Sequence, residues 1–340
     1  MAAIRPRDLL TDSLLERLGG TAPGVDLAPA AVSDHDPAAR EILSRDIAKL
    51  ADVGYLNVAL PPEFGGLGCT LRQAACGQRR LARRAPRTAL AVSAHLYWTG
   101  AAADAYRAGD DSVRWILLEA ARGALFASGH GTAGGDLRFA DPRSRCEPAG
   151  ESGYRFRDSA VLSSLTPAAA WDWVAVHAVH SREAVLAFAG RGSRCTPAFR
   201  VARVQPAGTV ADIFTASAVG WGHSVLASVQ YSDARRAFNA AVAALAEANP
   251  VPGQRHGSVL AGSHPLDTWP VAEAGLRLDA MKAKIAEITH PWPRVPEQAP
   301  DLGGQRLIGI YTMRHEVADG ARRVQQLIRQ IAEAPAVAAL

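Results

Sequence analysis

Near the C-terminal end of the chain, Ile310, Met313, Val317, Gly320, Val324, Leu327 and Ile331 recur at alternating steps of three and four residues. That spacing places all seven on one stripe of a single α-helix, about six turns long. Such a stripe describes a continuous packing seam. If the seam is buried, charge at Val317 or Val324 is expected to destabilise the fold.

The preceding segments supply candidate partners. Arg236–Ala248 reads as a helix stopped by Asn249-Pro250, and Trp269–Ile288 as another stopped by His290-Pro291. His290–Gly304 is rich in proline and glycine and reads as a linker. The N-terminal region is also helical in pattern. Asp36 is a candidate N-cap before Pro37, and Leu43, Ile47 and Leu50 then share one face, with Gly54 placed to end the helix. After a punctuated loop, Gly54–Gly68, helical pattern resumes over Leu71–Arg84, Ala89–Ala108 and Ser112–Ala121. Between these blocks the character changes. Ala124–Ser128, Tyr154–Phe156, Val174–His180, Ala184–Phe188, Phe199–Val204 and Ser228–Tyr231 have strand composition and are separated by turn residues. The reading is an α+β protein in three blocks: an α-helical domain over 1–122, a β domain over 123–235 and an α-helical domain over 236–340.

Composition narrows the function classes. The 340 residues are 48% apolar and 21% charged, which is globular, and no uncharged apolar run reaches the roughly 18 residues of a membrane span. The first residues carry acids where an export signal needs an apolar core, so a soluble, cytoplasmic protein is expected. The net charge is +4, and Lys49, Lys282 and Lys284 are the only lysines. Arg72, Arg79, Arg80, Arg83, Arg84 and Arg87 cluster, but they read as a solvated helix face or subunit contact, and no nucleic-acid partner is expected. Cys69, Cys76, Cys146 and Cys195 lie far apart with no CxxC pair, so neither a metal site nor a disulfide framework is expected.

One motif is a decoy. Gly129-His130-Gly131-Thr132-Ala133-Gly134 matches GxGxxG, but a dinucleotide site needs a helix to open at the last glycine. Here Gly135-Asp136-Leu137-Arg138 and Pro142 follow, with no helical period.

Read with three other segments, the same residues resemble the acyl-CoA dehydrogenase superfamily of flavoproteins. Gly54–Gly68 is similar to its P-E-x-G-G-x-G loop. Ala127–Asp136 falls at its flavin loop, with Ala133, Gly134 and Asp136 matching. Gly153–Trp173 is similar to its G-Y-x-L-N-G-x-K-x-W-I-T-N segment, and Gly220–Arg235 to its G-M-R-G-T-G-S segment. The resemblance spans about residues 30–330. It implies a helical domain, a central β-barrel and a shortened C-terminal bundle, with FAD (or FMN) between barrel and bundle, in a homodimer or homotetramer. By position it implies flavin contacts from Ala127, Ser128, Gly129, Gly134, Leu162 and Ser164, and a substrate contact from Gly135.

The resemblance leaves the catalytic group open. Dehydrogenation of an acyl-CoA needs a carboxylate to take the α-proton. The last helix is followed by no H-G-G-x-G-Y stretch, and the only acid on Arg236–Ala248 is Glu247. His95 falls where the flavin-dependent monooxygenase branch often has a histidine, which makes it a candidate catalytic and substrate residue. His177 and His180 are expected to face outward or to be structural. The function expected first is α,β-dehydrogenation of an acyl-CoA, with electrons passed to an electron-transfer flavoprotein. The alternatives are a monooxygenase fed by a flavin reductase, acting on another small molecule, and a homologue that has lost flavin and catalysis.

Overall fold

The computed structural model describes residues 4–19, 37–128, 145–149, 153–157, 171–190, 199–206, 212–248, 265–290 and 304–337. Helices come first: α1 (Pro6–Leu9), α2 (Asp12–Glu16), α3 (Pro37–Asp52), α4 (Leu71–Ala82), α5 (Pro86–Arg107) and α6 (Arg114–Ala121). Leu43, Ile47 and Leu50 of α3 are buried, as their spacing predicts. The loop before α4 is held by short 3-10 turns at Tyr55–Asn57 and Pro62–Phe64, and Thr70 and Gln73 cap α4 reciprocally. The arginine cluster is partly structural. Arg80 donates to the Leu10 carbonyl at 2.6 Å and to Asp12 at 2.9 Å, so it fastens α1 and α2 to α4.

The strands follow: β1 (Phe126–Ser128), β2 (Arg145–Ala149), β3 (Gly153–Arg157), β4 (Trp173–His180), β5 (Glu183–Gly190) and β6 (Phe199–Pro206). They form one sheet in the order β3-β2-β4-β5-β6, with β1 lying parallel to the start of β4 on the edge it shares with β2. The two ends of the path, β3 and β6, approach each other, so the sheet curls on itself. On β4 and β5, Ala175, Leu186 and Phe188 face the helices and join the main core, whereas Ala178 and Val185 pack with Cys146 on the other face. The middle of this antiparallel pair is therefore buried on both faces, with successive residues alternating between two cores.

Three long helices close the chain: α7 (Ile213–Ala248), α8 (Pro265–Thr289) and α9 (Gly304–Val337). The stripe of α9 is buried as expected, from Ile310 to Ile331. It packs on α7 and α8, and Gly320 lets α9 approach α8 closely, since a Cβ there would stand 2.9 Å from Met281. A bidentate pair from Arg323 to Glu273, at 2.8 and 2.9 Å, ties the same two helices.

One sequence expectation needs correction. Ser228–Tyr231 is helix, not strand, and the expected limit at residue 235 falls inside α7. The whole segment Gly220–Arg235, similar in sequence to the family's G-M-R-G-T-G-S segment, lies in this helix. Its small and β-branched residues mimic strand composition, but their burial against α5 and α9 decides the conformation.

Candidate functional site at the junction of β1, β4, α5 and α7

The sheet, the N-terminal helices and α7 meet around Trp98, which is fully buried on α5. Its indole makes an edge contact with Phe188 of β5 at 5.0 Å between ring centroids, and lies 5.9 Å from Phe214 of α7 and 6.3 Å from His177 of β4. Trp115, Phe126 and Phe188 continue the plate at 5.4 to 6.0 Å. Offset and edge-on aromatic packing of this kind makes a rigid apolar core. His177 thus faces the helices rather than solvent, which corrects one of the two placements expected for it. His180 is half-buried beside the Cys146 carbonyl, 3.2 Å away.

α5 and α7 interlock at a second point nearby. Gly100 leaves room for the Trp221 ring, where a Cβ would stand 2.3 Å from the indole. The Trp221 N–H donates to Asp104 at 2.7 Å, and Asp104 also accepts from Arg107 at 3.1 Å. At the start of α7, Arg203 of β6 bonds Asp212 and Asp110, and reaches Ser112 at 2.9 Å. One guanidinium therefore joins the sheet, the α5–α6 turn and α7.

His95 lies at this junction but is fully committed. Its Nε2 lies 3.0 Å from the Leu56 carbonyl, and its Nδ1 accepts from the Phe126 amide at 3.4 Å. This arrangement fixes the Nε2–H tautomer and needs a neutral ring. Burial pushes His95 down to about 4, with the Leu56 carbonyl opposing. Both ring nitrogens of His95 are engaged in this structure. The residue clamps the loop after α3 to β1. Glu247 is exposed in the last turn of α7, 33 residues beyond Phe214, or about 50 Å along the helix. It cannot serve this junction.

Of the expected flavin contacts, Ala127 and Ser128 lie on β1, paired with Val174 and Ala175. Gly129, Gly134, Gly135, Leu162 and Ser164 lie outside the described residues. Ser128 is buried at the exit of the strand. The Tyr97 phenol of α5 is buried beside it and interacts with the Ser128 and Trp98 side chains. Burial pushes Tyr97 well above its usual range, so the phenol stays protonated. Tyr97, Trp98 and His177 carried no sequence signal of function, since α5 is buried on nearly every side and no face stands out.

Residues 26–118 match the family model for the acyl-CoA dehydrogenase N-terminal domain. The three-block architecture agrees with it. The chain has the acyl-CoA dehydrogenase-like fold. Nitrososynthase from Micromonospora carbonacea var. africana superposes with a TM-score of 0.69 at 18% identity, over 96% of this chain and 85% of that one. Butyryl-CoA dehydrogenase from Megasphaera elsdenii superposes with a TM-score of 0.62 at 14% identity, over 96% and 87%. KijD3, solved with FMN and a dTDP-linked amino-keto sugar, gives 0.63 at 18%, over 97% and 82%. At these identities the likeness establishes the acyl-CoA dehydrogenase-like fold alone. A search of curated proteins finds no match. Among the described residues, no helix is long and apolar enough to cross a membrane.

A flavin needs an apolar slot with hydrogen-bonding groups at the polar edge of its ring. The buried Ser128 hydroxyl at the exit of β1 fits that requirement.

Proposed function

We propose that the chain is a flavin-dependent oxidoreductase that works without a protein carboxylate as α-proton base, and so belongs with the oxygenases of this fold rather than with its acyl-CoA dehydrogenases. The observation that carries this reading is the state of the carboxylates around the junction. Among the described residues, Asp104 is held by Trp221 and Arg107, and Asp110 and Asp212 are held by Arg203. Asp172 accepts from the Leu125 amide at 2.9 Å, at the end of β1 opposite Ser128. The buried acids Asp46 and Asp233 lie elsewhere: Asp46 is bonded to Gly19 and Thr88, and Asp233 is nearly 30 Å along α7 from Phe214. A general base must be free to reach the proton it takes.

The fold supports both chemistries, since dehydrogenases and monooxygenases share it. Bound flavin, as FAD or FMN, supplies the two-electron redox centre. Ser128 would hold the polar edge of its ring at the exit of β1, beside the apolar Trp98–Phe188–Phe214 core. The substrate is a small molecule, reduction comes from a partner reductase, and the working location is the cytoplasm. A homo-oligomer remains part of this reading.

The test is anaerobic mixing of the flavin-loaded protein with a series of acyl-CoA thioesters. The flavin colour is expected to persist, and to bleach only with a flavin reductase and NAD(P)H. Stoichiometric bleaching by any acyl-CoA would restore the dehydrogenase assignment.

A further inference from the structure

Most long helices of this chain set an arginine beside an acid three or four residues away. Arg45 pairs with Glu41 on α3, Arg107 with Asp104 on α5, Arg236 with Asp233 on α7, and Arg322 with Asp319 on α9. The helix α4 and the turn after it depart from this pattern. From Leu71 to Thr88 the chain carries six arginines and no acid. Arg80 is used by the Leu10 carbonyl and Asp12. Arg72, Arg79, Arg83, Arg84 and Arg87 meet no carboxylate among the described residues. Acids on the neighbouring elements are already engaged: Asp8 accepts from the Arg5 amide, and Asp46 is held by Lys49, Gly19 and Thr88.

These five form one patch. Arg72, Arg79 and Arg83 are spaced by seven and four residues, so they share the face of α4 opposite buried Ala74 and Leu81. Together they cover about 16 Å of helix. Arg72, Arg83 and Arg84 are exposed, and Arg79 and Arg87 are partly exposed. The one side-chain bond of Arg79 goes to the Cys76 thiol at 2.8 Å, a weak acceptor. Local folding does not account for the arrangement. Arginines one turn apart, such as Arg79 and Arg83, repel each other. The helix dipole favours cations at the end of α4, but Arg72 and Arg87 lie in the first turns of α4 and α5, where it disfavours them.

We infer that the outer face of α4 and the α4–α5 turn form a docking surface for a carboxylate-rich segment of a partner protein. Guanidinium groups pair with carboxylates through two parallel hydrogen bonds, which suits a row of arginines that lacks acids of its own. Nucleic acid fits less well, because the exposed face of α4 has no aromatic side chain on which a base could stack. A membrane surface fits less well, because that face has no large apolar side chain to insert. A second copy of the chain is a poor match too. Without these five arginines the net charge of +4 would be −1, so the rest of the chain offers little excess acid. Concentrating the charge in one place steers and orients an acidic partner on approach. The inference is independent of the flavin chemistry proposed above.

The experiment titrates a fluorescent poly-glutamate peptide into full-length protein at about 0.01 M and about 0.15 M salt. Three proteins are compared: wild type, a patch variant carrying Arg72→Gln, Arg79→Gln and Arg83→Gln, and a control carrying Arg182→Gln, Arg322→Gln and Arg329→Gln. The control loses the same charge elsewhere on the surface. Wild type is expected to bind the peptide and to weaken as salt rises. The patch variant is expected to bind about tenfold more weakly or worse, and the control within about twofold of wild type. Without peptide, the patch variant is expected to melt at or above the wild-type temperature, because like charges have been removed. Absence of peptide binding by wild type at low salt, or equal weakening in patch and control variants, would overturn the inference. So would tighter binding of a DNA duplex or of phosphatidylserine vesicles than of the peptide. A change of oligomeric state in the patch variant, read by light scattering, would reassign the surface to a contact between copies and overturn it as well.

Discussion

The Trp221 indole lies flat over Gly100, and its N–H donates to Asp104 at 2.7 Å one turn further along α5. A ring, a missing side chain and a carboxylate thus form one joint between the N-terminal helices and the C-terminal bundle. Gly100→Ala normally favours a helix by about 1 kcal/mol. Here the added Cβ meets the indole at 2.3 Å and must push α7 away. A net loss of about 1–3 kcal/mol is expected, read as a lower midpoint in urea unfolding. An unchanged or raised midpoint would show that the joint is loose.

Arg203 is the second joint. Its side chain is 12% exposed, against 28% for Asp110 and 32% for Asp212. Arg203→Met keeps the volume over Phe214 but leaves two partly buried carboxylates without their shared cation. A loss of roughly 2–3 kcal/mol is expected, below the range for fully buried pairs because water reaches both acids. Added salt should recover only part of it. Thermal melts at low and high ionic strength provide the check.

His95 gives the chain a defined response to acid. Its ordinary value of 6.5 falls to about 4 in the folded protein. Because the folded value is depressed, both states hold His95 neutral above about pH 6.5, and its contribution is fully present. As pH falls from 6.5 towards 4 the unfolded chain takes up the proton first, and stability is lost. The loss saturates below about pH 4 at roughly 3 kcal/mol. His95→Gln should flatten this window in a series of denaturant titrations, while lowering stability at neutral pH through its altered bonds to Leu56 and Phe126. An equal slope in both proteins would remove His95 as the cause.

Within the bundle, Val317 is fully buried in the α9 stripe. Val317→Asp places an unpaired carboxylate among apolar side chains, and a loss of about 3–5 kcal/mol is expected. Retention of the wild-type melting temperature would contradict the packing of α9.

The α9 stripe was legible in the sequence because seven residues repeat one period and nothing competes with it. The same holds for β4 and β5, whose apolar runs are bounded by turn residues. β2 was not foreseen. Pro148 and the charged residues Arg145 and Glu147 give it no strand signature, and pairing with β3 supplies what propensity lacks. Ser228–Tyr231 was misread for the opposite reason: composition suggested a strand, and burial in the bundle made a helix. At the site, Ser128 was reached through the resemblance, whereas Tyr97 and Trp98 could not be singled out on a helix that is apolar on every side. His95 was conspicuous as a lone histidine, but only the positions of Leu56 and Phe126 show that both of its nitrogens are used.

The most direct measurement of the central claim is the structure of the full-length protein crystallised with saturating FAD. One flavin per chain, with the polar edge of its ring against the Ser128 hydroxyl and the exit of β1, is the predicted result. A chain that crystallises without flavin under saturation, or binds it away from β1, would contradict the account.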